Sequence, residues 1–595
     1  MQIPIELLTA GRDITEPRLS PDGAAIAFVQ KGRGTAAIVV VARGGGPERV
    51  LTLGPDPAAG RGLGGGCFAW HPDSNGVLYA AVDGEIWWQP IGGSPEPMTA
   101  LGRECRAPNI DPIAEHFVFA VDQAEVWGRH MHRAEPTRLD DGTDAFCFDP
   151  VVSPAGSTVA WQGWSPPDMP WDGASIISRD LQSGELSRSE IDAGAAQQPR
   201  FMPDGARSWV DDASGWLNVR IDDELVLGED FEHAGPTWGM GQRSYVPSPD
   251  GTKVALCRNE GGFGRLIIVD RASGDVTDVG KGGHGQLDWV GDTITALRTG
   301  AVTPTQIVAY DVSDMFIKPP RTVLASGPAA GWDRFDLPEP TVIDVAVASG
   351  AEIAVELRAR RYSAGEGRML VWVHGGPTDQ WQADFRPRIS YWWSRGWDVL
   401  VVDPRGTTGH GREYQRALNG AWGRIDVDDT AALIRHAHAK GWATPATTVV
   451  IGGSSGGLTV LGVLADHGDV VAAGVASYPV SDLRSLAEVT HRFEAHYTDT
   501  LVGVLSDKGV GARFDELSPL HRADRIAQPL LVFHGSEDPV VPLAQSEQLV
   551  ERAGPNVELV VYEGEGHGFR NSENVRDEYE RTQAFLAASV PSWHL

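Results

Sequence analysis

The stretch Gly452-Gly453-Ser454-Ser455-Gly456-Gly457 follows the apolar run TTVVI and precedes the apolar run LTVLGVLADHG. Strand, Gly-x-Ser-x-Gly, helix is the pattern of a nucleophile elbow, in which a serine is held on a strained turn that only small neighbours permit. Two registers fit, Gly452/Ser454/Gly456 and Gly453/Ser455/Gly457. Ser454 is favoured, because it follows the strand by the shorter turn and leaves two glycines to start the helix. Ser455 would then offer its backbone N–H to an oxyanion.

A serine hydroxyl is a weak nucleophile until a base takes its proton, and the base needs a partner to orient it. Downstream, the strand-like PLLVFHG leads to Ser536-Glu537-Asp538-Pro539, and VELVVY leads to Glu563-Gly564-Glu565-Gly566-His567-Gly568. The order serine, acid, histidine is that of an α/β-hydrolase triad. Asp538 is the expected acid, with Glu537 as its neighbouring alternative. His567, between glycines, is the expected general base and then general acid. A second oxyanion donor must come from the loop after an earlier strand. MLVWVHGGP supplies it at Gly376, since Pro377 has no N–H. Three unrelated turn residues would have to coincide in order and context to produce this set by chance. His374 and His534 close strands and are expected to be structural. The acids Asp426, Asp428 and Asp429 fit a helix N-terminus better than a metal site.

These residues need a scaffold of alternating strands and helices. Apolar runs at 369–374, 397–402, 447–451, 472–477, 530–534 and 557–562 read as buried parallel strands. Residues 426–440 read as a helix, with Asp426 able to cap it and Gly441 just beyond it. The α/β pattern predicts a hydrolase domain over residues 340–595. The Gly/Pro/Ala-rich stretch 326–340 reads as the linker before it.

The first half repeats. Turns of the type Ser20-Pro21-Asp22-Gly23 recur at 71, 153, 202 and 248, and degenerate copies begin at 111 and 289. Proline fixes φ at the first turn position, and Asp-Gly supplies a side-chain acceptor and a left-handed residue. Each turn precedes a β-like stretch. A period of about 40–50 residues built of short strands predicts a β-propeller. Seven starts predict seven blades over residues 1–330, with six or eight as alternatives. Trp70, Trp127, Trp161, Trp209 and Trp289 are expected to pack the blades.

Composition narrows the function classes. The 595 residues include 71 Gly and 40 Pro, which many tight turns explain. A formal net charge of -30 opposes binding to nucleic acid and to anionic membranes. No apolar run is long enough to span a bilayer, and the N-terminus does not read as a secretory signal. The four cysteines, at 67, 105, 147 and 257, lack metal-ligand spacing and read as buried thiols of a cytoplasmic protein. No metal is expected.

The chain resembles the prolyl oligopeptidase family of serine peptidases, in particular its acylaminoacyl-peptidase and dipeptidyl-aminopeptidase group. The matching pieces are HGGP (374–377), DPRGTTGHGREY (403–414), WGRIDVDD (422–429), GGSSGG (452–457), HGSEDPVVP (534–542) and EGEGHGF (563–569). PPDMPWDG (166–173) and SGWLNV (214–219) extend the resemblance into the repeats. It implies an N-terminal propeller and a C-terminal α/β-hydrolase, with the active site in the cavity between them and no cofactor. Residues 1–15 could then pack back onto the hydrolase. It implies a peptidase acting on short peptides or N-acylated peptides through an acyl-enzyme. An esterase, an amidase or a peptide-tailoring hydrolase would use the same triad. A propeller interaction protein with a vestigial hydrolase is the alternative outside enzymes. Residues 490–497 resemble the part of the family that borders the substrate. There Arg492 could hold a carbonyl or carboxylate and Glu494 an ammonium, or the two could form a surface pair. The expected partner is a short peptide substrate, and a homo-oligomer is compatible with the sequence.

Overall fold

The computed structural model describes residues 1–32, 34–60, 64–132, 135–189, 191, 194–314, 318–349 and 353–590. The chain divides into two compact units, Gly11–Ala330 and Met1–Ala10 with Gly331–Leu595.

Residues 11–330 form a seven-bladed β-propeller, each blade a four-stranded antiparallel sheet built from one continuous stretch of chain. The first strands of successive blades pack on one another, which places them at the axis. The repeated turns always join this inner strand to the second one. Their left-handed position is held by Gly23 (φ 69°), Gly156 (70°), Gly205 (93°), Gly251 (71°) and Gly291 (54°), and by Ser74 (59°) and Ala114 (58°) in two blades. The copies at 71 and 111 thus keep the turn without its glycine. In the two copies that hold both serine and aspartate the side chains pair, Ser20 Oγ with Asp22 Oδ1 and Ser248 Oγ with Asp250 Oδ1, each at 2.6 Å, and each aspartate also accepts from the backbone two residues on.

The ring closes by side-chain packing. Ile14, Ile26, Phe28 and Val39 of the first blade share one apolar cluster with Leu297, Ile307 and Leu324 of the last. At the same seam Gly11 bridges Pro328, and the Arg12 N–H donates to the Gly327 carbonyl at 2.9 Å. The chain therefore enters and leaves the propeller side by side.

The second unit is an α/β-hydrolase. Its eight-stranded sheet runs, in spatial order, Thr341–Ser349, Ile353–Tyr362, Asp398–Asp403, Met369–Val373, Thr448–Gly453, Ala473–Ser477, Leu530–Gly535 and Val557–Tyr562. The first two strands pair antiparallel and all pairings from Asp398–Asp403 onward are parallel. That antiparallel pair lies outside the strands expected from the sequence. Its residues mix apolar and charged side chains (TVIDVAVAS, IAVELRARRY), as a strand pair at a sheet edge does. The central strands are buried along their whole length and pack against the helices Ile425–Ala439 and Ser455–Asp466. Asp426 is not the N-cap of the first of these helices. Arg424 occupies that place, and Asp426 is buried in the first turn.

Residues 1–10 belong to this unit, and the inner strand of the first blade begins at Asp13, so the segment grouped with the hydrolase is shorter than 1–15. Ile3 is buried with Trp332 and Phe385. Its N–H donates to Ser394 Oγ at 3.0 Å, and its carbonyl accepts from Arg395 at 3.0 Å. Among the described residues no helix is long and apolar enough to cross a membrane.

Candidate active site

The strand Thr448–Gly453 passes into the helix Ser455–Asp466 through a single residue, Ser454, whose backbone sits at φ 57°, ψ −125°. Such a conformation is costly for a residue with a side chain and persists only where its surroundings impose it. They do so here by close approach. A Cβ on Gly452 would lie 2.4 Å from the Gly456 carbonyl oxygen, and a Cβ on Gly456 would lie 2.4 Å from that of Val373. The strain falls on Ser454. Ser455 is helical and buried, and its hydroxyl accepts from the Trp422 indole N–H at 3.1 Å.

Two loops beyond neighbouring strands carry the base and its acid. His567 Nδ1–H donates to Asp538 Oδ2 at 2.7 Å. This leaves Nε2 unprotonated and able to accept a proton. The other oxygen, Asp538 Oδ1, accepts from the N–H groups of Val540 (2.8 Å) and Val541 (2.9 Å). Burial opposes the charged form of Asp538. The hydrogen bond and charge of His567, with the two backbone donors, outweigh it and hold the carboxyl below its usual range. Glu537 contributes its N–H to the Glu565 carbonyl at 2.9 Å, which ties the acid loop to the histidine loop. Buried Glu565 fixes the histidine loop by accepting from Arg570 N, Asn571 N and Asn574 Nδ2.

His534 is a structural residue of the acid loop. Its Nε2–H donates to the Val541 carbonyl at 2.8 Å, and its Nδ1 accepts from Ser546 Oγ at 2.7 Å. Burial pushes its basicity down, which suits that neutral tautomer. His374 likewise spends Nε2 on Thr407 at 2.8 Å.

The HGGP loop runs beside the elbow. A Cβ on Gly375 would stand 3.2 Å from the Gly453 carbonyl oxygen and 3.4 Å from Ser454 Cβ, so this loop lies directly against the nucleophile. Gly376 adopts φ 121° and lines one cavity together with Ser454, Ser455, Trp422, Glu494 and Tyr497. The loop is anchored by Tyr497, whose hydroxyl accepts from Thr378 N (3.0 Å) and donates to Thr378 Oγ1 (2.7 Å). Glu494 thus lies at the cavity, 3.4 Å from His491, whereas Arg492 is exposed and outside that lining.

Sequence reading missed Tyr478. It follows the strand Ala473–Ser477 with a positive φ of 40°, its ring lies tilted against that of His567 with centroids 4.5 Å apart, and it approaches Gly453 closely. It therefore packs between the elbow and the base. A lone tyrosine after a strand carries no signal of that role. The remaining motif residues support the loops from below. Asp403 accepts from Arg360 through both oxygens at 2.6 Å, from His410 at 2.8 Å and from Gln380 at 3.0 Å. Burial opposes that charge, but the Arg360 and His410 partners hold the carboxyl far below its usual range. Arg405 grips Asp429 with two nitrogens, at 2.6 and 2.9 Å. Among the described residues no group of three His, Cys, Asp or Glu is arranged to hold a metal ion.

Residues 383–591 match the family model described as the prolyl oligopeptidase family. This part of the chain is a prolyl oligopeptidase family domain. Of its relatives, a dipeptidyl peptidase family member 6 from Caenorhabditis elegans is 33% identical over 226 residues, 37% of this chain and 30% of that protein. Dipeptidyl aminopeptidase BIII from Pseudoxanthomonas mexicana is 33% identical over 225 residues, 37% of this chain and 33% of that protein. The matched stretch thus spans about a third of each of these relatives. A puromycin-hydrolyzing peptidase from Mycobacterium tuberculosis superposes with a TM-score of 0.86 at 25% identity, over 98% of this chain and 96% of the other.

Proposed function

We propose that the protein is a serine peptidase that cleaves short peptides, or N-acylated peptides, through Ser454, His567 and Asp538. The observation that carries this reading is a strained serine at the elbow, with Tyr478 packed both near that elbow and near a histidine whose Nδ1 is committed to a buried carboxylate. His567 Nε2 takes the proton of Ser454 as Oγ attacks the scissile carbonyl. The Gly376 and Ser455 N–H groups hold the oxyanion. His567 then protonates the leaving amine, and water hydrolyses the acyl-enzyme by the same route. Asp538, kept ionised, stabilises the imidazolium that forms in each step.

Glu494, at the cavity that holds Ser454, suits a substrate with a free amino terminus. End-to-end similarity to a puromycin-hydrolyzing peptidase makes puromycin a fitting first substrate. The purified chain would be assayed with puromycin, a dipeptidyl anilide, an acyl-amino-acyl anilide and a simple ester. Amide turnover that is blocked by a fluorophosphonate bound at Ser454 supports a peptidase. Turnover of the ester alone would replace this reading with an esterase. Glu494→Gln should raise KM for free-amine substrates about tenfold and leave N-acylated ones unchanged.

A further inference from the structure

The propeller axis holds a second set of converging charges. Five inner strands carry a non-glycine residue in the left-handed region, namely Glu16 (φ 57°), Ala107 (52°), Asp149 (53°), Gln198 (57°) and Gln286 (56°). Each lies at a break in strand register. A bulge of this kind re-aims a side chain, and its recurrence around the ring turns polar groups toward the axis.

The carboxylates of this set are taken up by backbone donors. Glu16 accepts from Cys67 N at 3.1 Å, Asp149 from Gly241 N at 2.6 Å, and Asp288 from Leu19 N at 2.8 Å. Gln286 holds the same Gly241 by its carbonyl at 2.7 Å and accepts from Arg18 at 2.6 Å. The arginines Arg200 and Arg243 are less well served. Among the described residues Arg200 makes one hydrogen bond, to the Gln242 carbonyl at 3.0 Å, and lies over the Tyr245 ring at 5.5 Å. Arg243 makes one, to Asp288 at 3.3 Å. The Nε groups of both are buried without an acceptor. A guanidinium has five N–H donors, so most of this capacity is unused. Burial and the like charge of Arg243 push Arg200 down to about 10 and Arg18 down to about 9, so these guanidinium groups repel one another.

Beside these two arginines is a cavity of about 280 Å³. Among the described residues Arg200 and Arg243 are the only charged side chains in its wall, in a chain whose net charge is -30. The rest of the wall is mostly apolar or aromatic, with Phe201, Val246, Trp289 and prolines of the inner-strand turns, and Asn109 and Ser248 add uncharged polar groups. Its volume lies just below the range of about 300–1,000 Å³ for drug-sized small-molecule sites, which limits it to a small ligand.

We propose that this cavity is a binding site for a small organic carboxylate, with the anion on Arg200 and Arg243 and the apolar part against Phe201 and Trp289. An arginine pair recognises a planar carboxylate by bidentate donation, and the aromatic wall favours a ligand that also carries a ring or branched chain. The site belongs to the propeller alone and is independent of the hydrolytic residues.

Isothermal titration calorimetry on the full chain tests it with phenylacetate, the uncharged phenylethanol and inorganic phosphate. Phenylacetate should bind at one site, at least about tenfold tighter than either comparator. Arg243→Gln and Arg200→Gln should each weaken it about tenfold or more, and Trp289→Ala several-fold. Circular dichroism checks that each variant folds. If Arg200→Gln does not fold, partly exposed Arg243 and Trp289 decide the matter. The proposal is overturned by no saturable binding up to about 10 mM, by equal binding of phenylethanol, by tighter binding of phosphate, or by binding unchanged in Arg243→Gln.

Discussion

Trp422 donates its indole N–H to the Ser455 hydroxyl at 3.1 Å and so occupies the serine next to the elbow. Ser455→Ala should therefore cost packing and one hydrogen bond, about 1 kcal/mol of stability, while leaving its backbone N–H in place. Ser454→Ala should leave stability almost unchanged and lower kcat by about 10⁴-fold or more. Steady-state kinetics with thermal denaturation on both variants checks this. Full activity in Ser454→Ala would move the nucleophile.

The Asp538 carboxyl is held below its ordinary range in the folded chain. Its contribution to stability is thus complete above the unfolded carboxyl pKa of about 3.9 and is lost as pH falls through the lower folded value. Asp538→Asn should lower kcat by about 10⁴-fold, because the amide favours the wrong imidazole tautomer. The stability gap between wild type and this variant should close on acidification below about pH 4. Urea titrations at several pH values measure that gap, and one that widened in acid would contradict the assignment.

Gly456 and Gly564 should respond differently to a methyl group. A Cβ at Gly456 would meet the carbonyl oxygens of Val373 and His374 at 2.4 and 2.7 Å. At Gly564 (φ 75°) nothing lies within 4 Å. Gly564→Ala should cost only about 1 kcal/mol, from its positive φ. Gly456→Ala should displace the helix start and abolish both activity and fluorophosphonate labelling.

Asp426 behaves in the opposite sense to Asp538. Burial raises its carboxyl to about 6, against acceptance from Thr459 and Gly423. Its favourable contribution is therefore complete below the unfolded value of about 3.9 and declines as pH rises through about 6. Relative to wild type, Asp426→Asn should gain in melting temperature between pH 5 and pH 8 on the order of a few degrees. A difference that stays flat across that range would show that Asp426 is not the titrating group.

The legible parts of this molecule are those in which backbone geometry demands a particular residue. The Pro-Asp-Gly turns announce the blades because a left-handed position selects glycine, and the starts at 71 and 111 stay recognisable only because other turn residues remain. The elbow is legible for the same reason. Its register is less so, because both serines have glycines two residues away on each side, and only the φ of 57° at Ser454 separates them. Tyr478 and Thr378 leave no trace, and Tyr497 shows only as the end of the segment 490–497, since each acts by its position in space and not by its spacing along the chain. The helix cap was misread at Asp426 because a buried acid in the first turn and a capping acid look alike in sequence.

The pairing of Gly11 with Pro328 has a consequence for synthesis. Residues 1–10 leave the ribosome ahead of the propeller, but their partners Trp332, Phe385 and Ser394 emerge only after all seven blades. Ile3 must therefore wait exposed while the propeller forms, and the hydrolase is completed by a segment made before the whole inserted ring.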